Sequence, residues 1–92
     1  MPYVKKSVRD RFSEDFLNDI CLCCYAPGDV NFVISKIMNG VIQSQGLDYV
    51  TINSLIGALE CAKMELYRRI AVPYEDAKIK ENGDVYECAK AG

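Results

Sequence analysis

The residues best suited to bind a ligand lie around position 70, where aromatic and basic side chains follow one another closely. Tyr67, Arg68, Arg69 and Tyr74 fall within one to two helical turns, and two lysines follow by residue 80. Arginine offers a planar fork of donors for phosphate, and tyrosine offers a stacking surface for a base. The cluster therefore predicts a site for a small phosphorylated ligand, such as a cyclic nucleotide. The alternative is a solvated basic face with tyrosines at the margin of the core.

A second basic group lies in an N-terminal arm that we assign to residues 1–12. The arm carries Lys5, Lys6 and two arginines against a single acid, together with Tyr3. If the helices run up, down and up, this arm lies at the opposite end from Arg68 and Arg69. The two groups then share one pocket only if the chain assembles or the arm folds back. The predicted ligand-binding residues are Tyr3, Lys5, Lys6, Arg68, Arg69 and Tyr74.

The sequence contains no combination of residues typical of an enzyme active site. Histidine, the commonest general base, is absent. The neighbouring acids Glu14-Asp15 and Glu75-Asp76 diverge by about 100° on a helix, so neither pair faces one substrate. Each pair is better explained by the positive end of a helix dipole. We therefore expect a protein that is not an enzyme and holds no cofactor.

Cysteine is frequent, with five in 92 residues, and Cys21 and Cys24 form a C-x-x-C pair. A zinc site would need Cys61 and Cys88 as its remaining ligands, although these two do not form a second C-x-x-C pair. Without an export signal, free thiols that pack as small apolar groups are the usual outcome. We predict no metal site.

Composition and charge restrict the class of protein. The residues are 50% apolar and 26% charged, which is typical of a globular domain. The net charge of −2 argues against binding to duplex nucleic acid. No apolar run reaches the roughly 18 residues of a membrane span, and the N-terminus lacks the apolar segment of a signal peptide. We expect a protein in the cytoplasm of a host cell, with no membrane partner.

Periodicity and capping residues predict two helices before residue 47. The first begins at Ser13, with Ser7 as an earlier candidate for its N-cap, and it ends before Pro27. The second has Asp29 as its N-cap and ends at Gly46. Its apolar residues recur at i, i+3, i+4 and i+7 for over three turns, which favours a helix over a strand.

The third predicted helix, over residues 48–72, is the longest, and on its outer side Glu65 can pair with Arg68 or Arg69. Pro73 interrupts it, and the chain there either kinks or begins a new helix that stops at Asn82-Gly83.

Within the second helix, Gly40 costs about 1 kcal/mol relative to alanine, so it is expected to mark the close approach of a neighbouring helix.

Together these elements predict an all-α fold: a small antiparallel bundle of about three helices with a C-terminal extension. We assign residues 1–92 to a single helical domain with a flexible tail over residues 84–92. The first helix is short and the apolar stripes of the other two are wide, so a homo-oligomer that buries the surplus is expected.

Four segments of the chain resemble a family of short uncharacterised proteins from bacteriophages, prophages and bacteria: residues 1–6, 27–34, 56–69 and 73–86. The resemblance covers nearly the whole chain and implies a phage origin, but no activity. The cysteine-rich residues 21–24 depart from the polar helix expected there, which weakens a metal role further. The architecture is also similar to that of small helical phage proteins that sequester signalling nucleotides of host immunity.

Two functions follow as expectations. The first is an oligomer that sequesters a signalling nucleotide to counter host defence, through the predicted ligand-binding residues. The second is a protein–protein interaction module that binds a host or phage partner, as an adaptor or inhibitor, through an apolar helix face. The assembly state of the purified protein separates them, because a stable tetramer or hexamer favours the first, whereas the second predicts a monomer or a loose dimer.

Overall fold

The computed structural model describes residues 1–88, and in these residues the only regular elements are helical, as predicted. The chain forms two compact units, one within Met1–Leu59 and one that begins at Glu60. The predicted tail falls partly on residues 89–92, which lie outside the described residues. The elements are α1 (Lys6–Arg9), α2 (Glu14–Leu22), α3 (Pro27–Gln45), α4 (Tyr49–Leu66), a π-helical turn (Tyr67–Ala71) and α5 (Val72–Asn82).

Helix α2 begins where the sequence predicts. Ser13 is its N-cap, and the Ser13 hydroxyl accepts a hydrogen bond from the Phe16 amide at 3.2 Å. Ser7 as an N-cap was wrong, because Ser7 lies inside the short helix α1, whose N-cap is Lys5. Helix α2 ends at Leu22, so that a short connection precedes Pro27.

Helix α3 starts two residues before its predicted cap. Pro27 takes the first helical position, where its fixed φ suits the helix and its missing N–H costs nothing. Asp29 as the N-cap was therefore wrong. Its carboxylate instead reaches back and accepts hydrogen bonds from the amides of Tyr25 and Ala26, at 2.9 and 3.0 Å. Gly46 ends the helix as predicted, with a φ of 108° that other residues rarely adopt.

Helix α4 begins after Asp48 and ends at Leu66, six residues before the predicted end at residue 72. The cause of the difference is Pro73, which has no N–H to donate to the carbonyl four residues earlier. The helical hydrogen bonds adjust upstream of Pro73, where the Val72 amide bonds the Tyr67 carbonyl five residues back. Helix α5 follows directly and ends at Gly83, whose φ is 93°.

Among residues 1–88, no apolar side chain is buried, and Thr51 is the one buried residue, with 6% of its surface exposed. Half-buried apolar residues do occur in unit Met1–Leu59: Val8, Ile20, Cys24, Val33, Met38, Val41, Ile42 and Leu55. These side chains are only partly shielded from water. The close approach predicted at Gly40 was wrong within the described chain, because a Cβ there would meet nothing within 4 Å.

Candidate functional site

The predicted ligand-binding residues divide between the two units. Tyr3, Lys5 and Lys6 belong to the first unit, and the second contains Arg68, Arg69 and Tyr74. Within each unit the residues come together because they are neighbours in sequence. A single pocket that combines both groups stays a prediction that depends on assembly.

The N-terminal group is held by contacts within the arm. The Arg9 guanidinium donates from Nε to the Val4 carbonyl at 3.0 Å, which fixes the arm against the short helix α1. Lys6 Nζ lies 3.8 Å from an Asp10 carboxylate oxygen. A cleft of about 480 Å³ opens beside them, lined by Lys6, Arg9, Asp10, Phe12 and Glu14. Two carboxylates in this lining reduce its attraction for an anion.

The C-terminal group surrounds the π-helical turn that Pro73 causes. Arg68 pairs with Glu65, as the sequence predicts for one of the two arginines, and the Glu65 side chain is 20% exposed. The Tyr67 hydroxyl lies 3.5 Å from Glu75 Oε2, at the outer limit of a hydrogen bond. The half-buried Glu65 therefore orients one guanidinium of the cluster and offsets part of its charge.

Tyr74 has a contact of its own in the same unit. Lys78 Nζ lies 5.6 Å from the centre of the Tyr74 ring, within the range of a cation–π interaction. Both side chains are exposed, so the contact adds little to stability. Its effect is to keep a cation beside an aromatic face on the first two turns of α5.

Another cleft, of about 350 Å³, lies at the end of α5 and was not predicted as a site. Gly83 turns the chain, and the Asp84 carboxylate accepts a hydrogen bond from the Tyr86 amide at 2.9 Å. Residues 84–86 thereby return along the helix end. The cleft is lined by Glu75, Lys78, Ile79, Asn82, Gly83, Asp84, Val85 and Tyr86. The sequence signal was Asn82-Gly83 followed by two large side chains, Val85 and Tyr86, that can pack back.

An apolar stripe on α4, within the first unit, is exposed over most of its width. At 100° per residue, Leu55, Leu59, Ile52, Ile56 and Tyr49 follow Thr51 at about 40°, 80°, 100°, 140° and 160° around the helix. Exposure rises in the same order, from 6% at Thr51 through 37% at Leu59 and Ile52 to 60% at Ile56 and 78% at Tyr49. The unit thus covers only one edge of the stripe. We call Tyr49, Ile52, Ile56 and Leu59 the outer α4 stripe.

Charged residues are nearly absent from the chain segment that contains this stripe. Between Lys36 and Glu60 the only charged residue is Asp48, although the segment includes the second half of α3 and the first half of α4. Surface helices normally carry charged residues opposite their apolar face. An exposed helical segment with one charge is therefore suited to contact another apolar surface.

The cysteines do not form a cluster in the described part of the chain. All five are free thiols, of which Cys24 is half-buried and the other four are exposed. Across residues 1–88, no three side chains of Cys, Asp or Glu lie together in a way that would hold a metal ion. In the same residues, no helix combines the length and the apolar character needed to cross a bilayer.

Comparison with known proteins assigns the chain to a family. The model of a domain of unknown function, DUF6899, matches residues 1–85. Neither a curated protein nor a solved structure shows significant similarity to the chain. The predicted membership of an uncharacterised family is therefore confirmed, and this match spans α1 to α5 with both candidate ligand-binding groups. The chain belongs to the DUF6899 family.

Proposed function

We propose that this chain is a non-enzymatic protein-interaction module that acts through apolar helix faces. One observation carries the proposal: no apolar side chain among residues 1–88 is buried. Burial of apolar surface contributes about 25 cal/mol per Å², and it is the main favourable term in folding. Helices that leave their apolar faces in water therefore gain this stabilisation from a partner.

The partner also completes the fold in this proposal. The first unit has four helical segments, α1 to α4, and each carries at least one half-buried apolar residue but no buried one. Exposed apolar faces at this density are typical of interaction surfaces. A partner helix laid on α3 or α4 supplies the missing layer.

Dye binding and hydrogen exchange test the proposal on the full chain. The isolated chain at its lowest measurable concentration is expected to bind a dye specific for apolar surface, with little amide protection in residues 49–59. Assembly or a partner should suppress dye binding and raise protection. A dilute chain that binds no dye and is strongly protected in this segment would show that its apolar faces are already covered.

Sequestration of a small phosphorylated ligand is a second candidate function. The observation that favours it is the composition of residues 67–80, in which four basic residues and two tyrosines surround the π-helical turn. A turn of this kind is frequent at functional sites, although Pro73 is a sufficient cause here. As a phage protein, the chain would hold a host signalling nucleotide with Arg68, Arg69 and Tyr74, joined in an oligomer by Tyr3, Lys5 and Lys6.

Calorimetry with a panel of cyclic and linear nucleotides tests this second function. Binding at micromolar concentration or tighter is expected, with a loss of at least tenfold in affinity for Arg69→Ala. Lys36→Ala removes one exposed charge from α3 and serves as the control with unchanged affinity. No binding to any member of the panel would remove the nucleotide function and leave the interaction module unaffected.

A further inference from the structure

We propose that the outer α4 stripe is an interface between two copies of this chain. This inference rests on the proposed interaction function and names its partner. The four side chains Tyr49, Ile52, Ile56 and Leu59 lie on one side of α4, within about 80° of one another. Their exposed fractions are 37–78%, against 6% for Thr51 on the same helix. The stripe thus continues the partly covered core outward to a second molecule.

The distribution of charge indicates that the outer α4 stripe contacts a second copy of this chain. In a two-fold symmetric dimer the same surface contacts itself, so every charged residue near the axis faces its own copy. Like charges placed opposite each other are destabilising. The segment from Ile37 to Leu59 avoids this cost because Asp48 is its only charged residue. The carboxylate of Asp48 is, in addition, engaged by the Thr51 amide at the start of α4.

The whole chain exposes more surface than an ordinary folded monomer of its mass. The chain exposes 8216 Å². A folded monomer of 10.3 kDa is expected to expose about 5,400 Å². The excess of roughly 2,800 Å² exceeds the roughly 1,000–2,500 Å² that each subunit buries in an obligate homodimer. Self-association can therefore bring the exposed area of each chain to that of an ordinary folded protein.

Sedimentation equilibrium of the full chain, supported by native mass spectrometry, tests the proposal. The natural chain is expected to be a dimer, or an even-numbered assembly of dimers, at low micromolar concentration. Ile56→Arg should raise the dissociation constant at least 100-fold, because a guanidinium would be buried against its own copy. Ser54→Arg is the matched control. It adds the same charge to the same helix, about 180° from the centre of the stripe, and should leave the dissociation constant unchanged.

A milder variant guards against misfolding. Ile56→Ala keeps a strong helix former at an exposed position, so helix content by circular dichroism should be retained while association weakens at least tenfold. Equal weakening by Ser54→Arg and Ile56→Arg would overturn the assignment of the interface to the stripe. Association of Ile56→Ala that is as tight as that of the natural chain would also overturn this assignment.

The natural chain also separates failure of this inference from failure of the interaction function. A monomer at all concentrations that binds apolar-surface dye would overturn self-association, and the stripe would then serve a different protein. A monomer that binds no dye and is protected over residues 49–59 would overturn both proposals. A dimer whose dissociation is insensitive to Ile56 would overturn only the assignment of the surface.

Discussion

Asp48 Oδ1 accepts a hydrogen bond from the Thr51 amide at 2.8 Å, and Thr51 is the one buried residue among residues 1–88. The contact fixes the first turn of α4, because it satisfies an amide that has no partner within the helix. With Thr51 turned inward, Ile52 and Ile56 follow on the adjacent, more exposed side.

The Asp48 cap makes stability depend on pH. Hydrogen bonds from the Thr51 amide, foremost, and from its hydroxyl lower the pKa of Asp48 below its ordinary value. A lowered pKa in the folded state means that this contribution is fully present above the unfolded pKa of about 3.9 and is lost as pH falls through the folded pKa. Asp48→Ala should therefore lower the free energy of unfolding more at pH 6 than at pH 2.5, as measured in urea.

Asp48→Asn is the control for this prediction. An asparagine side chain caps a helix comparably but does not titrate. The difference in unfolding free energy between the Asn and Ala variants should therefore be similar at both pH values. A difference between the natural protein and Asp48→Ala that does not decrease on acidification would contradict the assigned role of the carboxylate.

Two serines near the N-terminus should respond differently to alanine. Ser13 caps α2 through the Phe16 amide, whereas Ser7 lies within α1 and caps nothing. Ser13→Ala is expected to cost about 0.5–2 kcal/mol of unfolding free energy. Ser7→Ala should change it by less than about 0.5 kcal/mol. Thermal or urea unfolding measures both, and a larger loss for Ser7→Ala would contradict the observed start of α2.

Local signals in the sequence were sufficient to predict the start of α2 and the ends of α3 and α5. Ser13, Gly46 and Gly83 act at their own positions, through a hydroxyl or through a positive φ, so their effect is readable without the fold. Asp29 shows the limit of such signals. An acid three residues into a helix and an acid at its cap both bond nearby amides, and Pro27 at the first position decides between them.

Coverage of the apolar faces was not predictable in the same way. The spacing of Ile52, Ile56 and Leu59 shows that they share a face, but it does not show how much of that face the rest of the unit covers.

For the candidate site, spacing was enough to predict that Glu65 pairs with a neighbouring arginine. It did not predict the π-helical turn, because α-helical numbering fails where Pro73 removes a hydrogen bond.

Substitution of Gly40 tests whether this position on α3 faces solvent or a second molecule. A Cβ at this position would meet nothing within 4 Å, and the residue lies in the middle of α3. Gly40→Ala should therefore stabilise the protein by about 0.5–1 kcal/mol through helix propensity alone. Gly46→Ala should destabilise it, because φ at Gly46 is 108°. Stability loss and weaker association in Gly40→Ala would instead place a second molecule against α3 at this glycine.

Pro73 should control the geometry of the arginine cluster. The residue cannot donate to the Arg69 carbonyl, and the Val72 amide bonds the Tyr67 carbonyl across a π-helical turn. Pro73→Ala restores the donor, so we expect residues 67–71 to adopt regular α-helix with a gain of about 1–3 kcal/mol in unfolding free energy. Carbon chemical shifts and amide exchange at Val72 would report the change in hydrogen bonding.

Pro27→Ala is the matched control, since Pro27 occupies the first position of α3, where proline is favourable. That variant should lose up to about 1 kcal/mol, because the unfolded chain regains freedom that proline removes. The two alanine variants are thus expected to shift stability in opposite directions. A π-helical turn that persists in Pro73→Ala would mean that contacts of Arg68 and Tyr67, with Glu65 and Glu75, hold the turn instead. In that case Glu65→Gln or Glu75→Gln, combined with Pro73→Ala, should release it.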